Sequence, residues 1–248
     1  MQLITVTADN VGRTGFFCKM SARGKPGYER KQAWLKARFA EGLEMRLLDQ
    51  KQRGFVEFIP GKFAWRSIEN AEDYMVVHCL WVVGKSKGKD YGSLLLDEVV
   101  STAHTLGFAG VAAVTSKGNW MAGPAIFENN GFVSVARKEP NFDIMVHKFQ
   151  AEVPDPVFCN GWEKKLARLG DGVVVLRSDQ CPYIDDAAKA VADAAKKHGI
   201  AYRELELKSA ADIRAMSPTP YGNFAIVRDG KLLSYCYQLP KDLDKMLA

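Results

Sequence analysis

The stretch Val82-Val83-Gly84-Lys85-Ser86-Lys87-Gly88-Lys89-Asp90-Tyr91-Gly92-Ser93-Leu94-Leu95-Leu96 constrains the fold of this chain more than any other. A β-rich apolar run, Met75 to Val83, enters it and a helix-like run, Ser93 to Leu106, leaves it. A basic, glycine-bearing turn therefore sits where a helix begins. The unpaired N–H groups of a first helical turn, the positive end of the helix dipole and glycines that admit close backbone approach all favour a phosphate or pyrophosphate there. A short Gly/Lys turn also describes an ordinary solvated loop. The turn has neither the Gly-Lys-Ser/Thr ending of a P-loop nor a Gly-x-Gly-x-x-Gly run.

The order of elements narrows the choice. Strand, basic turn, Gly92 and a helix bearing Leu94-Leu95 are followed by a second strand (Gly110 to Thr115) and by Ile126-Phe127-Glu128-Asn129-Asn130-Gly131-Phe132. This combination resembles the GNAT acetyltransferases, whose pyrophosphate loop reads Gln/Arg-x-x-Gly-x-Gly/Ala. The resemblance implies acetyl-CoA as co-substrate, held by Lys87, Gly88, Lys89, Asp90, Tyr91, Gly92 and Ser93. It also implies main-chain contacts to the pantetheine arm from Leu80, Trp81 and Val82, where the strand end parts from its neighbour. Two positions depart from the pattern. Asp90 stands where glycine is usual, placing a carboxylate beside a diphosphate. Phe127 stands where many members carry a tyrosine that protonates the leaving thiolate; the thiolate then needs another donor or leaves unassisted.

At 248 residues the chain suits two modest domains better than one. The net charge of +5 is mild and fits an anionic small molecule, with no Lys/Arg block or aromatic-basic stripe to suggest nucleic acid. Five cysteines without close pairs argue against a disulfide framework, and neither a signal-like start nor a membrane-length apolar run is present. A cytoplasmic protein is the expectation.

Thr14 to Tyr28 reads as a loop carrying Phe16, Phe17 and Cys18, and Glu29 to Glu41 as an amphipathic helix. Glu44 to Asp49, Gly54 to Ile59 and Phe63 to Ile68 read as strands, with turns at Gln50 to Arg53 and Pro60-Gly61. Tyr74 to Val82 reads as a central strand, with Tyr74, Val76, His78 and Leu80 on one face and Met75, Val77, Cys79 and Trp81 on the other. Trp120 to Asn130 reads as a helix stopped by Gly131. Glu57, interrupting an apolar strand, faces either solvent or a pocket; in a pocket it is a base or an anchor for an amine. His78 is a candidate base, although a lone histidine on an apolar strand is more often a hydrogen-bonded core residue. Cys79 is a weaker candidate, as a nucleophile.

Ala151 to Pro156 has linker composition. Beyond it, strand (Gly172 to Arg177), Cys181-Pro182-Tyr183-Ile184, helix (Asp185 to His198), strand (Tyr202 to Leu207), helix (Ala210 to Met216), two strands (Asn223 to Arg228, Lys231 to Gln238) and a last helix (Lys241 to Leu247) resemble a thioredoxin-like fold. Ile184 stands where a second cysteine belongs, so Cys181 is a monothiol; a resolving partner, if it has one, is Cys159. Gly15 to Cys18, Phe55 to Gly61, Ala64 to Arg66, His78 to Val82 and this tail together resemble the YoaP-like group of acetyltransferases over nearly the whole chain. The expectation is an α/β (α+β) protein: a GNAT-type mixed sheet with flanking helices at 1–150, then a smaller thioredoxin-like α/β domain at 157–248. The expected activity is acetyl transfer from acetyl-CoA to a small amine acceptor. The alternative is a coenzyme- or thiol-binding redox or sensor protein using Cys181.

Overall fold

The computed structural model describes residues 2–49, 52–118 and 120–248. The chain forms two compact units: Met1–Ser21, Gln32–Ala64 and Ile68–Phe158 in the first, Ala22–Lys31, Trp65–Ser67 and Cys159–Ala248 in the second. In chain order up to the end of the first unit the elements are β1 (Leu3–Val6), α1 (Val11–Thr14), α2 (Pro26–Phe39), β2 (Glu44–Leu48), β3 (Gly54–Pro60), β4 (Ile68–Glu69), β5 (Tyr74–Val82), α3 (Tyr91–Thr105), β6 (Gly110–Ser116), α4 (Pro124–Glu128), β7 (Val133–Lys138), β8 (Phe142–Lys148) and β9 (Val157–Phe158).

Seven of these strands make one mixed sheet in the order β1-β2-β3-β5-β6-β8-β7. Every neighbouring pair is antiparallel except β5 with β6. A parallel pair needs a crossover, and α3 supplies it. Leu95, Leu96, Val99 and Ala103 form the buried stripe of α3, and they join Val56, Phe58, Met75, Val77, Val111 and Ala113 in one apolar cluster. Each large side chain so buried contributes about 1.5–3 kcal/mol, which fixes the helix, and the turn before it, against the sheet. The mixed α/β architecture with flanking helices is the one expected.

Three expected elements of the first unit have other bounds. Phe63 to Ile68 is not a strand: a 3-10 turn spans Gly61–Phe63 and only Ile68–Glu69 pairs, with β9. Ala64, Trp65, Arg66 and Ser67 are all buried, so no alternation of faces exists there to define a strand. The helix expected from Trp120 to Asn130 contracts to Pro124–Glu128, because Pro124 fixes its first position and Trp120 sits at φ 72. Gly131, at φ 79, ends it as expected. Conversely, α2 starts at Pro26, three residues before Glu29, since proline suits a first helical position. The turn expected at Gln50 to Arg53 lies partly outside the described residues.

The stretch Ala151 to Pro156 is tied to the first unit. The Tyr74 hydroxyl donates to the Pro154 carbonyl (3.0 Å), and the Lys148 ammonium donates to the Val153 carbonyl (2.7 Å) and pairs with Asp155 (2.9 Å).

The second unit contains α5 (Trp162–Ala167), β10 (Val173–Arg177), α6 (Ile184–Lys197), β11 (Tyr202–Glu206), α7 (Ala210–Met216), β12 (Phe224–Arg228), β13 (Lys231–Ser234) and α8 (Pro240–Leu247). Its sheet has the order β11-β10-β12-β13, with only β10 and β11 parallel. β13 stops at Ser234, short of the expected Gln238. The Ser234 hydroxyl accepts from the Cys236 N–H (3.2 Å) and from the Gln238 amide (2.7 Å), so these groups close a turn instead of extending the ladder.

Candidate active site

The parallel ladder between β5 and β6 runs from Tyr74 opposite Gly110 to Val77 opposite Ala113 and ends there. β5 continues to Val82 on its other side, paired with β3, and β6 continues to Ser116, paired with β8. The sheet therefore forks. At the fork lies a narrow cleft, with a cavity of only about 10 Å³, lined by Val77, His78, Cys79, Leu80, Val114, Trp120, Met121, Ala122 and Phe127.

A β-bulge sits at the same point. Glu57 pairs with Cys79 but the next residue, Phe58, pairs with Val77, so His78 is the extra residue of β5. The strict alternation expected for this strand is thus broken. Leu80 and Val82 turn to the α3 side with Met75 and Val77, all four packing in or against the same cluster. His78 and Cys79 then both lie on the side of Glu57.

That side holds a buried pair. Glu57 is 1% exposed and His78 5%, with Glu57 Oε1 and His78 Nδ1 3.3 Å apart. Glu57 therefore does not face solvent. An ionised Glu57 carboxylate can only accept, and in that state the contact is donated by the His78 Nδ1–H. The Trp34 ring stands 6.1 Å from the imidazole, fixing it from α2. Phe127 is buried against Phe132, centroids 5.3 Å apart, and offers the fork an apolar wall with no proton to give.

The turn leading into α3 lies at the open end of β5. Gly84–Ser86 is a 3-10 turn whose buried Ser86 hydroxyl accepts from the Arg53 N–H (2.9 Å) and donates to the Gln52 side-chain oxygen (3.1 Å), pinning the loop. Lys87, Gly88, Lys89 and Asp90 are exposed. Gly88 has φ 71, with no atom near where a Cβ would stand. Asp90 caps α3 at φ 59, a left-handed conformation that aspartate tolerates better than most residues. Its carboxylate accepts from the Ser93 hydroxyl (3.2 Å). The backbone shape that glycine would give is thus retained, while the negative charge remains.

Along its whole length the chain is similar to YoaP. It is 26% identical over 251 residues, covering 100% of this chain and 98% of the other, to the Bacillus subtilis (strain 168) protein named "Uncharacterized N-acetyltransferase YoaP". No protein-family model matches. Among solved structures, the ribosomal-protein-alanine N-acetyltransferase of Brucella melitensis aligns with 59% of this chain and 97% of its own, at 16% identity and a TM-score of 0.41. Salmonella typhimurium yncA, solved with its cofactor acetyl-CoA, aligns with 62% of this chain and 96% of its own, at 15% identity and a TM-score of 0.43. The YoaP similarity spans both units of the chain, whereas the structural alignments cover about three-fifths of it.

Cys181 lies in the second unit, three residues before α6, in the turn that follows β10. The first turn of α6 carries Asp185 and Asp186, and Asp185 pairs with Arg30 (3.0 Å). Gly27 packs against the same turn: a Cβ there would stand 2.5 Å from the Pro182 carbonyl oxygen. Among the described residues no group of three or more His, Cys, Asp and Glu is placed to hold a metal ion, and no helix is long and apolar enough to cross a membrane.

The individual residues Glu57 and His78 were visible as candidates in the sequence, but their pairing was not. It depends on a one-residue bulge that no period-two pattern announces. The clustering of Phe17 with Phe55 (5.1 Å) and Trp81 (5.8 Å) was also missed, because the three belong to different elements.

Proposed function

We propose that this protein is an acetyl-CoA-dependent N-acetyltransferase that acts by direct transfer to the amine of a small-molecule acceptor. The observation that carries the reading is the fork between β5 and β6, with the buried Glu57–His78 pair beside it and the pinned lysine turn of α3 at its mouth. The similarity to YoaP supports it.

In this reading the N–H groups at the start of α3, with Lys87 and Lys89, hold the diphosphate, and Gly88, Asp90, Tyr91, Gly92 and Ser93 shape the turn around it. Main-chain groups of Leu80, Trp81 and Val82 hold the pantetheine arm along the open edge of β5. His78, directly or through one water, takes a proton from the acceptor ammonium or from the attacking amine. The amine lone pair forms a bond to the acetyl carbonyl carbon, backbone donors at the fork stabilise the oxyanion, and the carbon–sulfur bond breaks. The leaving thiolate recovers one proton, giving the amide and free coenzyme thiol. Glu57 acts through His78, holding the tautomer in which Nε2 is basic. Cys79 lines the fork without forming a bond to the acetyl group. Residues 1–150, apart from Ala22–Lys31 and Trp65–Ser67, which belong to the second unit, are the catalytic domain, and 157–248 supply a thioredoxin-like domain, a reading supported by the order β11-β10-β12-β13.

The test is a pair of measurements on the intact protein: calorimetry with acetyl-CoA, and mass spectrometry of an amine panel after incubation with it. Binding and acetylated amines are expected. His78→Ala should lower kcat by about 10²–10⁴-fold with coenzyme affinity kept, and Cys79→Ala should retain activity. Folded protein that fails to bind acetyl-CoA at millimolar concentration ends the reading.

A further inference from the structure

On the sheet face opposite α3, the first unit carries an aromatic surface. Phe55 is its floor, the half-buried Phe17 packs on Phe55 and on Trp81, and Trp81 is 42% exposed although it lies in the central strand β5. The exposed Arg53 sets its guanidinium over the Phe17 ring at 5.9 Å. Trp81 is the exposed member of the cluster, Phe17 is half-buried and Phe55 lies beneath them, so the apolar surface is continuous from Trp81 to Phe17.

The backbone adds a separate observation. Phe17 has φ 75 and Lys19 φ 52, and the Cys18 N–H bonds to the Phe16 carbonyl (2.9 Å), so Phe17 is the centre of a three-residue turn of the rare, strained hand. Such conformations persist where the surroundings hold them, and they gather at ligand sites. Here the strain presents one aromatic ring to a second.

The position links this surface to the fork. Phe55 and Glu57 are two residues apart on the same face of β3, a rise of about 7 Å. Cys79 and Trp81 stand in the same relation on β5. The surface therefore lies one side chain away from the Glu57–His78 pair and on the sheet face away from α3.

We propose that Phe17, Phe55 and Trp81 form the acceptor subsite, and that the acceptor is an amine carrying a flat apolar group and a carboxylate, the group stacked on the rings and the carboxylate met by Arg53. This rests on the transferase reading above. Stacking is favoured by aromatic faces, and a guanidinium recognises a carboxylate through two parallel hydrogen bonds. A polyamine finds no carboxylate among Phe17, Phe55, Trp81 and Arg53, and a small amino acid leaves the rings uncovered.

The test uses L-tryptophan, tryptamine, L-alanine and spermidine as probes, in acetylation assays and in calorimetric titrations with and without saturating acetyl-CoA. L-Tryptophan should be preferred, by roughly tenfold over tryptamine and more over the other two. Arg53→Gln should bring the ratio of L-tryptophan to tryptamine close to one. Trp81→Ala should weaken binding of both by about tenfold. Phe17→Leu should raise KM with kcat kept, a split that a merely structural role does not give. Preference for spermidine or L-alanine, or an Arg53→Gln variant that keeps the ratio, overturns the inference while leaving the transferase reading intact. If acetyl-CoA does not bind, the transferase reading fails by itself. The coenzyme-free titrations still decide the subsite: L-tryptophan binding lost in Trp81→Ala supports it, and no binding to the wild type overturns it.

Discussion

Each unit of this protein contains a strand that runs through a short turn into a helix of 14 or 15 residues, β5 into α3 and β10 into α6. The local geometry is alike and the electrostatics are opposite. The turn before α3 exposes Lys87 and Lys89, and the first turn of α3 contains no acid. The turn before α6 is closed on itself. Ser178 and Gln180 are buried, the Ser178 hydroxyl donates to the Asn223 side-chain oxygen (2.7 Å), and the Asn223 amide donates to the Trp65 carbonyl (2.9 Å). Asp185 and Asp186 already occupy the positive end of α6. A helix N-terminus invites an anion only where its own side chains leave the end open, so of these two turns the one before α3 is the better anion site.

The sharpest way to break this contrast is to crowd the closed turn. Gly27→Val places a Cβ 2.5 Å from the Pro182 carbonyl oxygen and 2.9 Å from the Asp185 Cβ, both unable to yield cheaply. The expected cost is about 1–3 kcal/mol, read as a fall of several degrees in melting temperature. Next in size is the open turn. Lys87→Gln with Lys89→Gln should weaken acetyl-CoA binding about tenfold, roughly 1.4 kcal/mol, and flatten its salt dependence, with the melting temperature unchanged. Calorimetry at two ionic strengths checks both statements. An Asp185→Asn variant that altered coenzyme affinity as much would erase the distinction between the turns.

The sequence carried the open turn well and the fork poorly, for a physical reason. Turn chemistry and helix starts are local: Gly88, Asp90 and Gly131 act through their own backbone angles, and α7 was placed at its observed bounds from local pattern alone. The fork depends on where one ladder stops and on a bulge at His78, which are properties of strand partners far apart in sequence. Alternation therefore assigned Cys79, Leu80 and Trp81 to the wrong faces from the bulge onward. Trp120 misled for another reason: its hydrophobicity fits a helix, but its φ of 72 and Pro124 place it in a loop that lines the fork.

Asp90 sharpens the comparison from within the open turn, because its carboxylate makes this helix end slightly like that of α6. Asp90→Asn keeps a residue that tolerates φ 59 and keeps an oxygen for the Ser93 hydroxyl, but removes the charge. Two effects of opposite sign follow. Loss of a negative N-cap should cost the protein about 0.3–1 kcal/mol, while acetyl-CoA should bind roughly threefold more tightly. A variant that binds the coenzyme less well would mean that the carboxylate orders the turn more than it repels the diphosphate.

The smallest effect tests the other end of α6. Lys197 and His198 there hold Asp244 of α8, with contacts of 2.7 and 3.1 Å, and these hydrogen bonds keep the Asp244 carboxyl below its usual value of 3.8. A carboxyl lowered by folding stabilises the folded state fully above its unfolded value, and this contribution is lost as pH falls through the lower folded value. Asp244→Asn should therefore lower the melting temperature slightly at pH 6–7, less so with added salt because the pair is exposed to solvent. Below the folded value the wild type and the variant should melt together. Denaturation curves recorded at pH 7 and near pH 2 decide it, since a difference that persists in acid would belong to packing of α8 and not to the charge at the C-terminus of α6.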